Sequence, residues 1–479
     1  MHELCYLSAT EIAAQIRQRK ISPREVVQAY LDRIGRLNPQ LNALTYLDSE
    51  RALESARAAE AALAKGLEPG PLHGVPVTVK SSIDVAGWPC ESGTRLRAGN
   101  TPAADAPLAA RLRKAGAILL GNTNTPELLM AYETDNLLYG RTNNPWDLGR
   151  TPGGSSGGES AAIAAGLSAG GVGSDGGGSI RVPAHFTGIC GLKPTPGRIP
   201  ATGHFPASLG PFTLTGVVGP LARTAADLKL MFEVIAGPDV GDPSSAPVPV
   251  KWIPKDEIRK LRIGWFEDDG RTPITPETRN AVRRAAQSLA AEGFIVEPFR
   301  PEGLERARQL WWNIFGRVGG MILAPAVNGC EKELSPILNE FLAFIRADVP
   351  LTLQDLIETW MERDQLRIQL LTQMEEFPVL LCPVCAIPAF RHSEREWTVE
   401  GKSVNYLDVM SYSQWFNLLG NPAAVVPVGR SAEGLPIGVQ VVGRPYEEEA
   451  VLAIAAEIEE RCGGWQQPPL DCAAQGAYK

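Results

Sequence analysis

Residues 171–183 read GVGSDGGGSIRVP, five glycines set around Ser174 and Ser179. Glycine inside a regular element costs about 0.5–1 kcal/mol relative to alanine. Such density therefore marks backbone that must come close to something. Upstream, TPGGSSGGESAAIAAG (151–166) repeats the device around Ser155 and Ser156. Two common templates fit parts of this run and fail on context. Gly171 to Gly176 satisfies GxGxxG, but a dinucleotide fingerprint must open a long helix, and here further glycines and Pro183 intervene. Gly153 to Gly157 satisfies GxSxG, which needs a histidine and an acid further along. His185, His204 and His392 are available, and none sits in a stretch that reads as a catalytic loop.

The chain has 479 residues, 44% hydrophobic and 21% charged, enough to bury a large core. Its 46 basic against 54 acidic side chains give a net charge of −8, and the basic pairs Arg19-Lys20 and Arg283-Arg284 lie in helix-like patterns. Nucleic acid is not an expected partner. No window approaches the roughly 18 apolar residues of a membrane span. The opening MHELCYL has neither the charge nor the apolar run of a signal peptide, so a cytoplasmic address is the default expectation. Eight cysteines are scattered rather than framed, and Cys382-Pro-Val-Cys385 sits in an apolar run with no second such pair. Buried reduced thiols are expected there, and no metal.

Ser8-Ala-Thr-Glu11 and Ser22-Pro-Arg-Glu25 are capping boxes, the second with proline at the first helical position. Val26, Tyr30, Ile34 and Leu37 then repeat at helical spacing. A third helix is expected over about 48–66, then a strand in PLHGVPVTVK with Val75, Val77 and Val79 on one face and Thr78 and Lys80 on the other. Strand-like AILLG (117–121) follows a helix over 105–115, the alternation of an α/β sheet covered by helices on both faces. AGPDVGDPSSAPVPV (236–250) reads as a linker. Beyond it, LRIGWF and FIVEPF flank a helix, a mainly helical stretch covers about 302–376, and AAVVPVG and PIGVQVVG read as strands joined at 432–435. One large domain is expected: N-terminal helices (1–66), a glycine-rich core (67–235), a linker (236–260), a variable αβ and helical segment (261–400) and a return to the sheet (401–470).

Taken together, TPGGSSGGESAAIAAG and GVGSDGGGSIRVPAHFTGICGLKPT resemble the amidase signature family, in motif the fatty acid amide hydrolase and aryl acylamidase-like branch. KSSIDVAG, NTNTPELLMAY and NPWD are similar to family sequence too. The resemblance implies a twisted mixed β-sheet and a Ser-Ser-Lys catalytic triad of Lys80, Ser155 and Ser179. It implies Ser179 as nucleophile and Ser155 as proton shuttle after a cis Gly154–Ser155 peptide. Gly176, Gly177 and Gly178 would form the oxyanion hole, Asp175 and Arg181 would brace the loop, and Ser156 would support the shuttle. Leu129 and Met130 fall where that branch lines its substrate channel. Many relatives carry a side chain where this chain has Gly176, which implies a more flexible loop here.

Amide cleavage needs an activated nucleophile, a base that later protonates the amine, and donors for the tetrahedral oxyanion. A lysine serves as base only when neutral, so Lys80 must be buried for its pKa to fall from about 10.4. Trp311, Trp312 and Phe315 fit either a pocket wall or core. The implied activity is cofactor-free hydrolysis of a small-molecule amide, apolar acyl or aryl by preference, with carbamates (urethanes) and esters compatible and a homodimer left open. The alternative is the ammonia-supplying A-type subunit of glutamyl-tRNA amidotransferase. Glu159 resembles the hydrolase branch more.

Overall fold

Capping chemistry starts the fold as the serines predict. Ser8 and Ser22 each accept the N–H three residues on, and Glu11 and Glu25 accept in return, launching helices Ala9–Arg17 and Pro23–Leu41. Val26, Tyr30, Ile34 and Leu37 are on the buried face. A computed structural model describes residues 2–470. Its strands are β1 (Leu44–Leu47), β2 (Pro76–Lys80), β3 (Ile118–Thr123), β4 (Gly170–Asp175), β5 (Cys190–Lys193), β6 (Val217–Ala222), β7 (Arg262–Trp265), β8 (Ile295–Pro298), β9 (Val379–Pro383), β10 (Glu396–Val399), β11 (Lys402–Asn405), β12 (Ala423–Arg430) and β13 (Pro436–Gly443).

Eleven of these make one mixed sheet in the order β1-β3-β2-β4-β6-β5-β12-β13-β9-β7-β8. Strand β2, third in that order, runs parallel to both neighbours, and parallel strands of this kind are covered on both faces. All five of its residues are buried. Side chains alternate between two cores, as a period of two requires: Val379 and Leu381 pack on one side, Leu380 and Cys382 on the other. The closing hairpin β12–β13 lies between β5 and β9 and stitches the two halves of the chain into a single α/β domain.

Residues 236–250 hold no helix or strand, yet they do not separate two bodies. Arg198 donates to the Val248 carbonyl at 2.5 Å, and the Lys251 N–H donates to Glu449. The expected long helical stretch resolves into helices Leu304–Trp311, Gly319–Val327, Pro336–Ala347 and Leu353–Glu376, with a π-helix at Trp312–Val318 between the first two. Cys382 and Cys385 are buried free thiols in and just after β9, and burial pushes both up. Among the described residues no helix is long and apolar enough to cross a membrane.

Candidate active site

Lys80 ends β2 and Asp175 ends β4, and because these strands run parallel their carboxyl ends open on the same edge of the sheet. Ligands bind at such edges in open α/β sheets. Ser155 and Ser156 precede the helix Gly157–Ala164, whose first turn closes over that edge, and the Gly154–Ser155 peptide is cis. Ser179 sits in the turn between β4 and the short helix Arg181–Thr187.

Lys80 is fully buried, and its Nζ lies 2.7 Å from Ser155 Oγ, 3.0 Å from Ser156 Oγ and 3.0 Å from Ser174 Oγ. Burial lowers its pKa to about 7, against the raising influence of Asp175 and Glu159. Ser156 directs its own O–H to the Ser174 carbonyl at 3.3 Å, so toward Lys80 it can only accept. A neutral amine carries two N–H donors and one lone pair. Three hydroxyl neighbours match that set when one of them, such as Ser155, donates to the lone pair. Glu159 lies behind, accepting from Thr78 and Thr123; burial raises its pKa to about 7, against those bonds and the charge of Lys80.

The glycine loop is held by a buried carboxylate. Asp175 accepts from the N–H groups of Gly178 (2.7 Å), Ile180 (3.1 Å) and Arg181 (3.3 Å), and from two guanidinium nitrogens of Arg181, each at 3.0 Å. Burial pushes its pKa up, but the charge and bonds of Arg181 outweigh that and hold it well below the usual carboxylate range. Arg181 also reaches Gln440 at 3.1 Å and Asn417, residues of the closing segment.

In a trans peptide the C=O and N–H point opposite ways, so pinning one aims the other. Asn417 donates to the Asp175 carbonyl (3.0 Å), the Trp311 indole N–H to the Gly176 carbonyl (2.9 Å) and the Val182 N–H to the Gly178 carbonyl (2.7 Å). The N–H groups at the other ends of these peptides belong to Gly176, Gly177 and Ser179, and they have no protein acceptor among the described residues. The Gly177–Gly178 peptide is held at both ends, by the Tyr132 hydroxyl (2.9 Å) and by Asp175. Of the three N–H groups expected as donors, that of Gly178 is engaged by Asp175, whereas those of Gly176 and Gly177, together with that of Ser179, are open.

The space beside Gly176 is filled. A Cβ there would lie 2.5 Å from Phe315 Cε2, and one on Gly177 would lie 2.5 Å from Trp311 Cζ2. The two aromatic rings stack at 4.9 Å and 13° in the space the glycines leave. The π-helix is formed by bonds between residues five apart, and it carries Phe315 back over Trp311.

Two narrow cavities of about 60 and 30 Å³ meet at Ser179, Leu129, Met130 and Phe315. Ser155, Ser174, Gly176, Phe212 and Val217 line the first, and Tyr132, Trp311, Phe341 and Tyr406 the second. Leu128 and Leu129 both have positive φ, 49° and 67°, a conformation that side chains disfavour. Glu127 anchors their turn by accepting from Thr94 at 2.8 Å and from the Ser335 N–H at 2.5 Å. Neither cavity is lined by an arginine or lysine. His204 lines the first, its pKa lowered to about 4 by burial and then by the charge of Lys80, and so neutral at pH 7. Among the described residues no group of three or more His, Cys, Asp or Glu is placed to hold a metal ion.

A model of the family described as Amidase matches residues 25–452. The chain belongs to the amidase signature family. Indoleacetamide hydrolase of Bradyrhizobium diazoefficiens is 38% identical over 466 residues, 95% of this chain and 86% of that protein. A glutamyl-tRNA(Gln) amidotransferase subunit of Moorella thermoacetica is 33% identical over 483 residues, 96% of this chain and 97% of its own. The solved structure of a bacterial aryl acylamidase of the same family superposes with a TM-score of 0.85 at 28% identity, covering 95% of this chain and 96% of that one.

Lys80, Ser155, Ser156, Ser179, Asp175 and Arg181 are thus gathered at one edge of the sheet of this amidase, and Leu129 and Met130 border both cavities. His185 is structural, fully buried between the Gly438 N–H and the Ile387 carbonyl. His392 lies apart from both cavities. Sequence reading missed Ser174 as a partner of Lys80, and Tyr132, Asn417 and Gln440 as supports of the loop. No local motif marks them, because each meets the site only through tertiary contact. Trp311 was legible only as an aromatic near a pocket or in the core.

Proposed function

We propose that this chain hydrolyses amides with Ser179 as nucleophile, Ser155 as proton relay and Lys80 as base, on small substrates with apolar acyl or aryl groups. The observation that carries this reading is a fully buried Lys80 Nζ 2.7 Å from Ser155 Oγ, at a cavity that Ser179 also lines. Ser179 Oγ attacks the carbonyl carbon as its proton passes to Ser155, whose own proton passes to Lys80. The N–H groups of Gly176, Gly177 and Ser179 receive the oxyanion; losing one such donor elsewhere costs about 100- to 1,000-fold. The proton returns from Lys80 through Ser155 to the departing nitrogen, the C–N bond breaks, and an acyl-Ser179 ester remains. Water then attacks that ester, delivering its proton along the same relay, and the acid leaves as Ser179 regains its hydrogen.

Apolar substrates are favoured because neither cavity offers a cation for a substrate carboxylate. Two of the similar proteins are named for aryl substrates, an indoleacetamide and an aryl acylamide. Carbamates and esters present the same carbonyl and enter the same sequence of steps. The test is product release by the purified chain alone from a primary aryl-acetamide, an anilide and an aryl carbamate. Turnover of any of them that is lost in Ser179→Ala supports the reading. A folded chain inert on all three would overturn it in favour of the partner-dependent amidotransferase reading.

A further inference from the structure

We infer that Trp311 is a positioning residue for the oxyanion hole, through which the helical segment after residue 304 takes part in the reaction; this rests on the amide-hydrolase reading above. Three peptides carry the open donors. The Asp175–Gly176 and Gly178–Ser179 carbonyls are pinned by Asn417 and by the Val182 N–H, which belong to the densely bonded Asp175–Arg181 assembly. The Gly176–Gly177 carbonyl has one partner, the Trp311 indole N–H at 2.9 Å. Gly176 and Gly177 bear no side chain to resist rotation of that peptide. Without the indole bond, its plane is free to turn and the Gly177 N–H to swing away from the cavity.

Trp311 is itself locked in place. It is 2% exposed, ends the helix Leu304–Trp311, and stacks on Phe315, whose ring fills the place a Gly176 side chain would occupy. A bond made to the carbonyl in both ground state and transition state contributes to rate by preorganising the opposite N–H where charge develops. Its removal therefore lowers kcat more than it raises KM. The expected loss is smaller than for deleting a donor outright, roughly tenfold in kcat.

Two replacements separate the hydrogen bond from the packing. Trp311→Phe keeps an aromatic ring against Phe315, and benzothienylalanine at position 311 keeps the bicyclic shape with sulfur in place of N–H. Both are compared with wild type and with Ser179→Ala on whichever amide the wild type turns over. The inference predicts that both lower kcat about tenfold with KM within threefold, while the protein stays folded and the melting temperature falls by only a few degrees, about what one lost bond and the smaller ring account for. Both should also weaken inhibition by a trifluoromethyl ketone, which forms a tetrahedral adduct, more than inhibition by the acid product. A benzothienylalanine enzyme with wild-type kcat overturns the inference, as does a loss carried by KM or melting temperature alone. If the wild type turns over no amide, or Ser179→Ala stays active, it is the amide-hydrolase reading that has failed.

Discussion

Replacing Lys80 by methionine should abolish hydrolysis and yet make the protein more stable at neutral pH. Burial brings the lysine from 10.5 to about 7, so at pH 7 the unfolded chain carries a proton that the folded protein half releases. Linkage across that difference opposes folding by about 4 kcal/mol at pH 7. Methionine is similar in length and carries no charge, but it leaves Ser155, Ser156 and Ser174 without their Nζ partner, at about 1 kcal/mol for each bond. Ser156 keeps its bond to the Ser174 carbonyl, so the net gain at pH 7 is about 1–2 kcal/mol. The sign reverses with alkali. Between pH 7 and 10.5 the unfolded wild type binds more protons than the folded form, so its stability rises with pH while that of the variant has no such increment. By pH 10 the wild type should be the more stable by about 2 kcal/mol. Urea unfolding at pH 7 and 10, followed by tryptophan fluorescence, reads both differences. A variant less stable at pH 7, or a difference that does not change with pH, would mean that Lys80 folds as an ordinary protonated lysine.

The same lysine sets the acid limb of activity. Below pH 7 kcat/KM should fall about tenfold per pH unit as Lys80 takes up its proton, and a rate flat from pH 5 to 9 would remove it as the base. Asp175→Asn leaves the Arg181 charge buried without its counter-ion, so it should destabilise by about 3–5 kcal/mol and abolish turnover; denaturant unfolding within 1 kcal/mol of wild type would contradict the bracing role.

Much of this was legible in the sequence because local chemistry and global fold agree. Ser8 and Ser22 announce their helices, alternating valines announce β2, and the glycine-serine runs announce the site. Other features were not legible, and three of them show the physical reasons. Strand β1 and the hairpin β10–β11 are four residues per strand and mostly half-buried or exposed, so no apolar run marks them. The π-helix at 312–318 uses residues that also suit an α-helix, and nothing in the local pattern shows that Phe315 will pack beside Gly176. Gly178 reads as an oxyanion donor because adjacent glycines look equivalent in sequence; only the position of the Asp175 carboxylate shows which amides remain open.

All of the proposed chemistry passes through Ser179. The decisive measurement is mass-spectrometric peptide mapping after reaction with an aryl fluorophosphonate at pH 8, in wild type, Ser179→Ala and Lys80→Met. The expected result is a single adduct on the peptide containing Ser179, absent in Ser179→Ala and formed far more slowly in Lys80→Met. An adduct on another residue, or undiminished amide hydrolysis by Ser179→Ala, would contradict it.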